Sequence, residues 1–168
     1  MTRYDVRPAE PADADVLGAA HVRIWQQAYA GLMPAEHLDG LSVPGSVGRW
    51  RDSLARTARD RATYVGTADG AVVGFCTAGA TRDDPPVPAH ELWVLNVLAE
   101  HHGSGLATQL LEATFAAVGI DETTPVSLWV LRGNERAMAF YRRRGFAATG
   151  ATKPHPATGV LEERWIRS

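Results

Sequence analysis

Between Leu92 and Ala107 the chain reads LWVLNVLAEHHGSGLA. An apolar, strand-like run ends in a short polar loop, and two glycines, Gly103 and Gly105, then open a helix. Glycine lets the backbone approach a ligand closely. The first N–H groups of a helix lack internal partners, and the helix dipole is positive there. Such a corner can seat a phosphate or pyrophosphate. A nucleoside-triphosphate loop would need a lysine after the second glycine, and none follows Gly105. A dinucleotide fingerprint needs a third small residue where Thr108 stands, although Asp121 lies near the distance expected of a ribose-binding acid. A corner that only packs helix against strand is the remaining alternative.

The surrounding pattern supplies a scaffold for that corner. Tyr4 to Arg7 reads as a first strand, followed by a helix that Asp13 or a neighbour can cap and that carries Val16, Leu17, Ala20, Ile24 and Ala28 on one side. Trp25 and Tyr29 lie four apart and share a face. Short helices are predicted over 34–41 and 44–55. Two strands, 62–68 and 71–80, flank Asp69-Gly70, a hairpin signal. A proline-rich loop covers 81–89. A strand over 92–98, a helix over 104–118, a strand over 125–131 and a helix over 134–144 follow. Strands over 146–152 and 160–166 close the chain. The order predicts a mixed α/β sheet with a right-handed parallel crossover from Leu92 to Leu131.

At 168 residues with no linker or repeat, residues 1–168 form one expected domain. A net charge of −2 and no basic run with interleaved aromatics argue against nucleic acid as a partner. No apolar run approaches membrane-spanning length, and no signal-peptide core is present, so the expected location is cytoplasmic. Cys76, the only cysteine, excludes an internal disulfide and reads as a small core residue. No cluster has metal-ligand spacing, so no metal is expected.

Two longer patterns bear on the corner. From His102 the chain reads H-G-S-G-L-A; from Asn134 to Phe146 it reads N-E-R-A-M-A-F-Y-R-R-R-G-F. These resemble the two signatures of the GCN5-related N-acetyltransferase (GNAT) family, [QR]-x-x-G-x-[GA] and an asparagine followed by A-x-x-F-Y-x-x-x-G-F. Gly105 and Ala107 match the first; His102 departs from its opening position. The W-x-x-A-Y of Trp25, Ala28 and Tyr29 is similar to many bacterial members. The resemblance spans essentially the whole chain. It implies a central mixed, largely antiparallel sheet of about seven strands. That sheet would be splayed between the fourth and fifth strands and flanked by helices.

The resemblance implies acetyl-CoA as acetyl donor and a primary amine as acceptor, attacking directly in a ternary complex. The implied acceptor is a small molecule, with a protein N-terminus or lysine as the runner-up; a coenzyme A-binding sensor without transfer activity is a second class, and a dinucleotide-dependent oxidoreductase is a third. The implied donor site comprises the strand backbone of Leu95, Asn96 and Val97, the corner His102, Gly103, Ser104, Gly105, Leu106, Ala107 and Thr108, and Asn134 and Tyr141. Tyr141 takes the role of general acid at the thioester sulfur, with packing beside Phe140 as its plain alternative. Asn134 reads equally as a helix cap. Glu91 is the expected general base, with His90 or a water chain as rivals. Trp25 and Tyr29 border the implied acceptor site or serve core or dimer packing. Arg142, Arg143 and Arg144 read either as charges that approach the adenosine 3′-phosphate or, more commonly for such a run, as a solvated helix end that suits the dipole. The family commonly forms homodimers.

Overall fold

The computed structural model describes residues 1–56 and 58–168. In chain order it has β1 (Tyr4–Pro8), α1 (Ala14–Ala28), α2 (Ala35–Asp39), α3 (Val43–Ala55), β2 (Arg61–Ala68) and β3 (Ala71–Ala80). There follow β4 (His90–Val97), α4 (Leu106–Ala117), β5 (Val126–Leu131), α5 (Glu135–Arg142), β6 (Ala147–Pro154) and β7 (Leu161–Arg167). The strands form one seven-stranded sheet in the order β1-β2-β3-β4-β5-β7-β6. All neighbours are antiparallel except β4 and β5. This is the mixed, helix-flanked sheet expected from the sequence.

β3 lies inside the sheet and is covered on both faces, so its residues from Val73 to Gly79 are all buried. Phe75 points to one face, where it meets Trp50 of α3 at 5.0 Å and stacks on His21 of α1 at 5.5 Å. The opposite face carries α4. There Gly66 and Gly74 stand directly across from each other on β2 and β3. A Cβ at Gly66 would lie 2.9 Å from Leu106 Cδ1, and one at Gly74 would lie 3.3 Å from Leu110 Cδ1. The paired glycines therefore let the first turns of α4 lie flush on the sheet. Among the described residues, no helix is long and apolar enough to cross a membrane.

The hairpin at Asp69-Gly70 has both turn residues at positive φ, +49° and +87°, as a two-residue type I′ connection requires. Other elements depart from expectation. Val16 is 41 % exposed while Leu17, Ala20 and Ile24 are buried, because Val16 falls outside the narrow stripe they define. α5 ends two residues early: Gly145, at φ +82°, turns the chain, and Phe146 N–H bonds back to the Tyr141 carbonyl at 3.1 Å. β4 begins two residues early, at His90, which brings Glu91 into the sheet.

Asp13 does not cap α1. It closes a 3-10 turn (Pro11–Asp13) and accepts two hydrogen bonds from Arg7, each 2.8 Å, and one from Glu10 N–H, also 2.8 Å. A guanidinium from β1 outcompetes the helix end because it offers a planar two-point match to the carboxylate. The pair ties β1 to the start of α1. It also holds the Asp13 carboxyl below the usual carboxylate range, chiefly through the Arg7 hydrogen bonds. A depressed carboxyl stabilises the fold above its unfolded pKa and loses that contribution as pH falls through the folded value. Asp13→Asn is therefore expected to cost about 1–3 kcal/mol near neutral pH. The gap from wild type should close on acidification. Urea midpoints at several pH values check this; a gap independent of pH would contradict it.

Candidate active site

The site begins where the sheet stops being continuous. β4 pairs with β3 along its length but with β5 only at His90, Glu91 and Leu92. At that point the β3 register skips Trp93, which bulges between Leu92, opposite Ala78, and Val94, opposite Thr77. A bulge bends and twists its strand. Beyond it β4 and β5 part. Two cavities open there, one of about 700 Å³ and one of about 470 Å³. Leu95, Asn96, Asn134 and Tyr141 line both, so the cavities share a wall.

The larger cavity is floored by the glycine corner. Gly105 precedes α4 at φ +87°, and an added Cβ there would meet nothing within 4 Å. His102, Gly103, Ser104, Leu106, Ala107 and Thr108 complete the rim, together with the β4 backbone through Val97. Leu106 contributes backbone, since its side chain is fully buried. Ser104 Oγ donates to the His101 carbonyl, 2.7 Å, and accepts from Leu106 N–H, 3.3 Å, which shapes the turn. His102 Nε2–H donates to the Val97 carbonyl, 2.8 Å. This side chain thus ties the loop to the end of β4, and burial holds its imidazole below the usual pKa.

α5 forms the opposite wall. Asn134 Oδ1 caps it by accepting from Ala137 N–H, 3.3 Å, and Asn134 also lines both cavities. Arg136, Arg143 and Arg144 face the larger cavity. Arg144 lies over the Phe140 ring at 3.5 Å and bonds to Thr108, bridging α5 and α4. Arg142 turns away and covers Trp165 at 5.4 Å. Of the three consecutive arginines, Arg142 is therefore remote from this cavity. Arg136, which the sequence reading passed over, takes its place. Projection of α5 as a helix would have found it, because Arg136 and Arg143 are seven apart on one face.

Tyr141 stands where the two cavities meet and is only 9 % exposed. Burial pushes its phenol well above the ordinary value, and nearby Tyr29 and Cys76 add to that. Tyr29 is pushed up to about 12, by burial and then by the Glu162 carboxylate. Both phenols are protonated at neutral pH and can donate hydrogen bonds. Trp25 packs edge-to-face on Tyr29, with ring centroids 5.1 Å apart. Both line the smaller cavity with Trp93 and Trp129.

Glu91 also reaches the smaller cavity, yet it is 1 % exposed and fully engaged. Arg82 donates to it three times: backbone N–H at 2.8 Å, Nε at 3.2 Å and Nη2 at 2.6 Å. His90 is half-buried and does not line either cavity. Asp83 receives Trp129 Nε1–H at 3.0 Å and pairs with Arg164 at 3.2 Å. The sequence reading named none of Arg82, Asp83, Trp93, Trp129, Lys153 and Glu162 individually as cavity residues, although it assigned acceptor specificity to the 81–89 loop that carries the first two. They come from a loop and four separate strands, and no local spacing links them.

Comparison with known proteins agrees with this architecture. The model of a family described as Acetyltransferase (GNAT) family matches residues 20–146. An uncharacterized N-acetyltransferase of Mycobacterium tuberculosis, Rv2669, is 30% identical over 138 residues, covering 82% of this chain and 85% of its own. The PaiA N-acetyltransferase of Thermoplasma acidophilum, crystallised in complex with coenzyme A, superposes with a TM-score of 0.68 at 18% identity over 99% of both chains. A GCN5-related N-acetyltransferase from Rhodopseudomonas palustris gives a TM-score of 0.75 at 20% identity, over 98% of this chain and 94% of its own. At these identities the two solved structures speak to the fold.

The Arg82–Glu91 contact yields a direct test. Arg82→Ala leaves the buried carboxylate with the residue-82 backbone N–H as its one donor among those three and should destabilise the protein by about 1–3 kcal/mol. Adding Glu91→Gln to that variant should recover part of the loss. Urea unfolding at neutral pH measures both. An Arg82→Ala variant as stable as wild type would mean that the contact does not hold Glu91.

Proposed function

The chain belongs to the acetyltransferase (GNAT) family, and from that premise we propose that it transfers the acetyl group of acetyl-CoA to a primary amine of a small molecule. One observation carries this reading: the two cavities share a wall, and Tyr141 is part of it. A donor in the larger cavity and an acceptor in the smaller one would meet there. Several features of the larger cavity suit a pyrophosphate-bearing donor. The first turn of α4 offers N–H groups and the positive end of the helix dipole. Gly105 leaves open space, and Arg136 and Arg143 supply positive charge. Beyond Leu92 the edge of β4 is not covered by β5, so Leu95 and Asn96 are available for strand-like pairing with pantetheine. Asn96 Nδ2 is buried with no partner in the protein, which suits a group that a ligand completes. The aromatic walls and modest size of the second cavity favour a small acceptor over a protein chain.

Acetyl-CoA supplies a thioester whose carbonyl carbon takes the electron pair of a neutral amine while coenzyme A leaves as thiolate. Tyr141 is assigned as the proton donor to that thiolate. Its raised pKa keeps the proton available across the ordinary pH range. Glu91 is assigned as the base that draws the proton from the amine, acting across the smaller cavity once Arg82 yields one oxygen. Asn134 holds the start of α5 against the donor site while its own amide remains at the shared wall. Trp25 and Tyr29 exclude water from the acceptor side.

Calorimetry with acetyl-CoA and with NAD(H), followed by thiol release across an amine library, tests the reading. Acetyl-CoA binding together with turnover on a small amine is expected. Binding of NAD(H) alone would overturn it, and acetyl-CoA binding without turnover on any amine would point to a sensor. Two variants sharpen the residue assignments. Tyr141→Phe should lower kcat by about 10²-fold, within the range of general-acid effects. Its affinity for acetyl-CoA should be largely preserved. An unchanged kcat under chemistry-limited conditions would remove the proton-donor role. Gly105→Glu should fold, at a strain cost of about 1–2 kcal/mol for a non-glycine residue at positive φ. It should lose acetyl-CoA binding, because the new carboxylate enters the donor cavity. A folded variant with normal affinity would contradict the pyrophosphate seat.

A further inference from the structure

The smaller cavity contains five charged side chains: Arg82, Asp83, Glu91, Lys153 and Glu162. Three of them are neutralised by the protein itself. Arg82 and Glu91 pair with each other at 2.6 Å, and Asp83 pairs with Arg164 at 3.2 Å. Lys153 and Glu162 are left. Among the described residues neither takes part in an ion pair.

Their independence is unexpected from position alone. Lys153 on β6 and Glu162 on β7 are direct cross-strand partners, so both side chains leave the sheet on the same face. Opposite charges so placed would normally join. Instead the Lys153 ammonium rests over the Trp129 ring, 4.1 Å from its centroid. Glu162 stands across the β5–β7 ladder from Leu131, a member of the small buried cluster against which Tyr29 packs, and its charge raises that phenol. Tyr29 and Tyr141 both line this cavity. The free charges are thus ordered: the carboxylate toward Tyr29 and the shared wall, the ammonium toward Trp129.

Lys153 is also the only lysine among the chain's 17 basic residues. Arg82, the arginine that lines this cavity, acts as a planar fork on the Glu91 carboxylate. A lysine presents a compact, mobile charge with three rotatable donors. That suits a group that must leave an aromatic ring when a ligand arrives.

We propose that the acceptor is a zwitterion, an amine carrying a carboxylate a few bonds from the reacting nitrogen, as in an α-amino acid. Glu162 receives the incoming ammonium on the side of Tyr29 and Tyr141, and Lys153 leaves Trp129 to bind the carboxylate. The aromatic walls of Trp25, Tyr29 and Trp129 take the apolar body. This inference rests on the transfer reaction proposed above and narrows its acceptor. Glu162 acts here in binding; it positions the amine before the amine loses its proton.

The test is a matched series: each of a panel of amino acids beside its own carboxamide and its decarboxylated amine, assayed by thiol release with saturating acetyl-CoA. The carboxylate form should show kcat/KM about tenfold above its carboxamide, the effect of one charge-assisted contact. The carboxamide's amine is the less basic and more often neutral, so intrinsic reactivity works against this preference. Lys153→Gln should bring the ratio near one, and Lys153→Glu should invert it. If the carboxamide or the simple amine is used as well as the carboxylate, or the preference survives Lys153→Gln, the inference falls while the transfer reaction stands. It falls equally if other amines are acetylated and no amino acid is. If acetyl-CoA binds and no amine of any kind is acetylated, the transfer reading itself fails.

Discussion

The molecule depends on a pairing that stops. Three residue pairs join β4 to β5, and then Trp93 bulges and the strands part. Ordinary sheet growth would continue the seam and fill the space with backbone hydrogen bonds. The divergence instead leaves a strand edge without its neighbour inside the domain, where an unpaired backbone group is costly unless something completes it. Both cavities, and the wall between them, are consequences of that geometry. The short seam survives because each side of it is anchored elsewhere: β4 by its full ladder with β3, and β5 by its ladder with β7.

The second requirement is that α4 begin in the right place. The glycines at 66 and 74 lower the helix onto the sheet, and Leu106 and Leu110 fill the space they leave. This packing fixes the height of the helix start relative to the end of β4. His102 then ties the intervening loop to the Val97 carbonyl. A histidine here does with its ring what it cannot do as an arm: it braces the loop rather than reaching into the cavity. The departure from the family pattern at this position therefore has a local structural use.

What could be read from sequence follows from the range over which each feature is determined. The glycine corner and the Asn134 cap were legible because each is set within a turn or a helix end, where local spacing decides which groups meet, whereas Tyr141 was marked by the resemblance of the pattern around it to a family signature. Strand order across the seam was not legible. β7 lies between β5 and β6 although it follows both in sequence, and that order alone brings Lys153 and Glu162 beside Trp129. Glu91 shows the same limit. Nothing in the residues next to it signals burial, but Arg82 folds back over nine positions and pairs with it in the interior. Asp13 illustrates competition: a side chain suited to cap a helix was taken by a stronger partner from a neighbouring strand.

The seam also divides the labour of recognition. The corner and the β4 edge belong to the half built from β1 to β4 with α4. The free charges of the smaller cavity belong to the half built from β5, β7 and β6. Lys153 and Glu162 line only the smaller cavity, and residues without shared contacts tend to contribute independently. Changes on the β6–β7 hairpin can therefore retune which molecule is accepted without retuning the seat on α4. For evolution, or for an engineer, this fold is two modules with a common wall, and the exchangeable module is the one at the edge of the sheet.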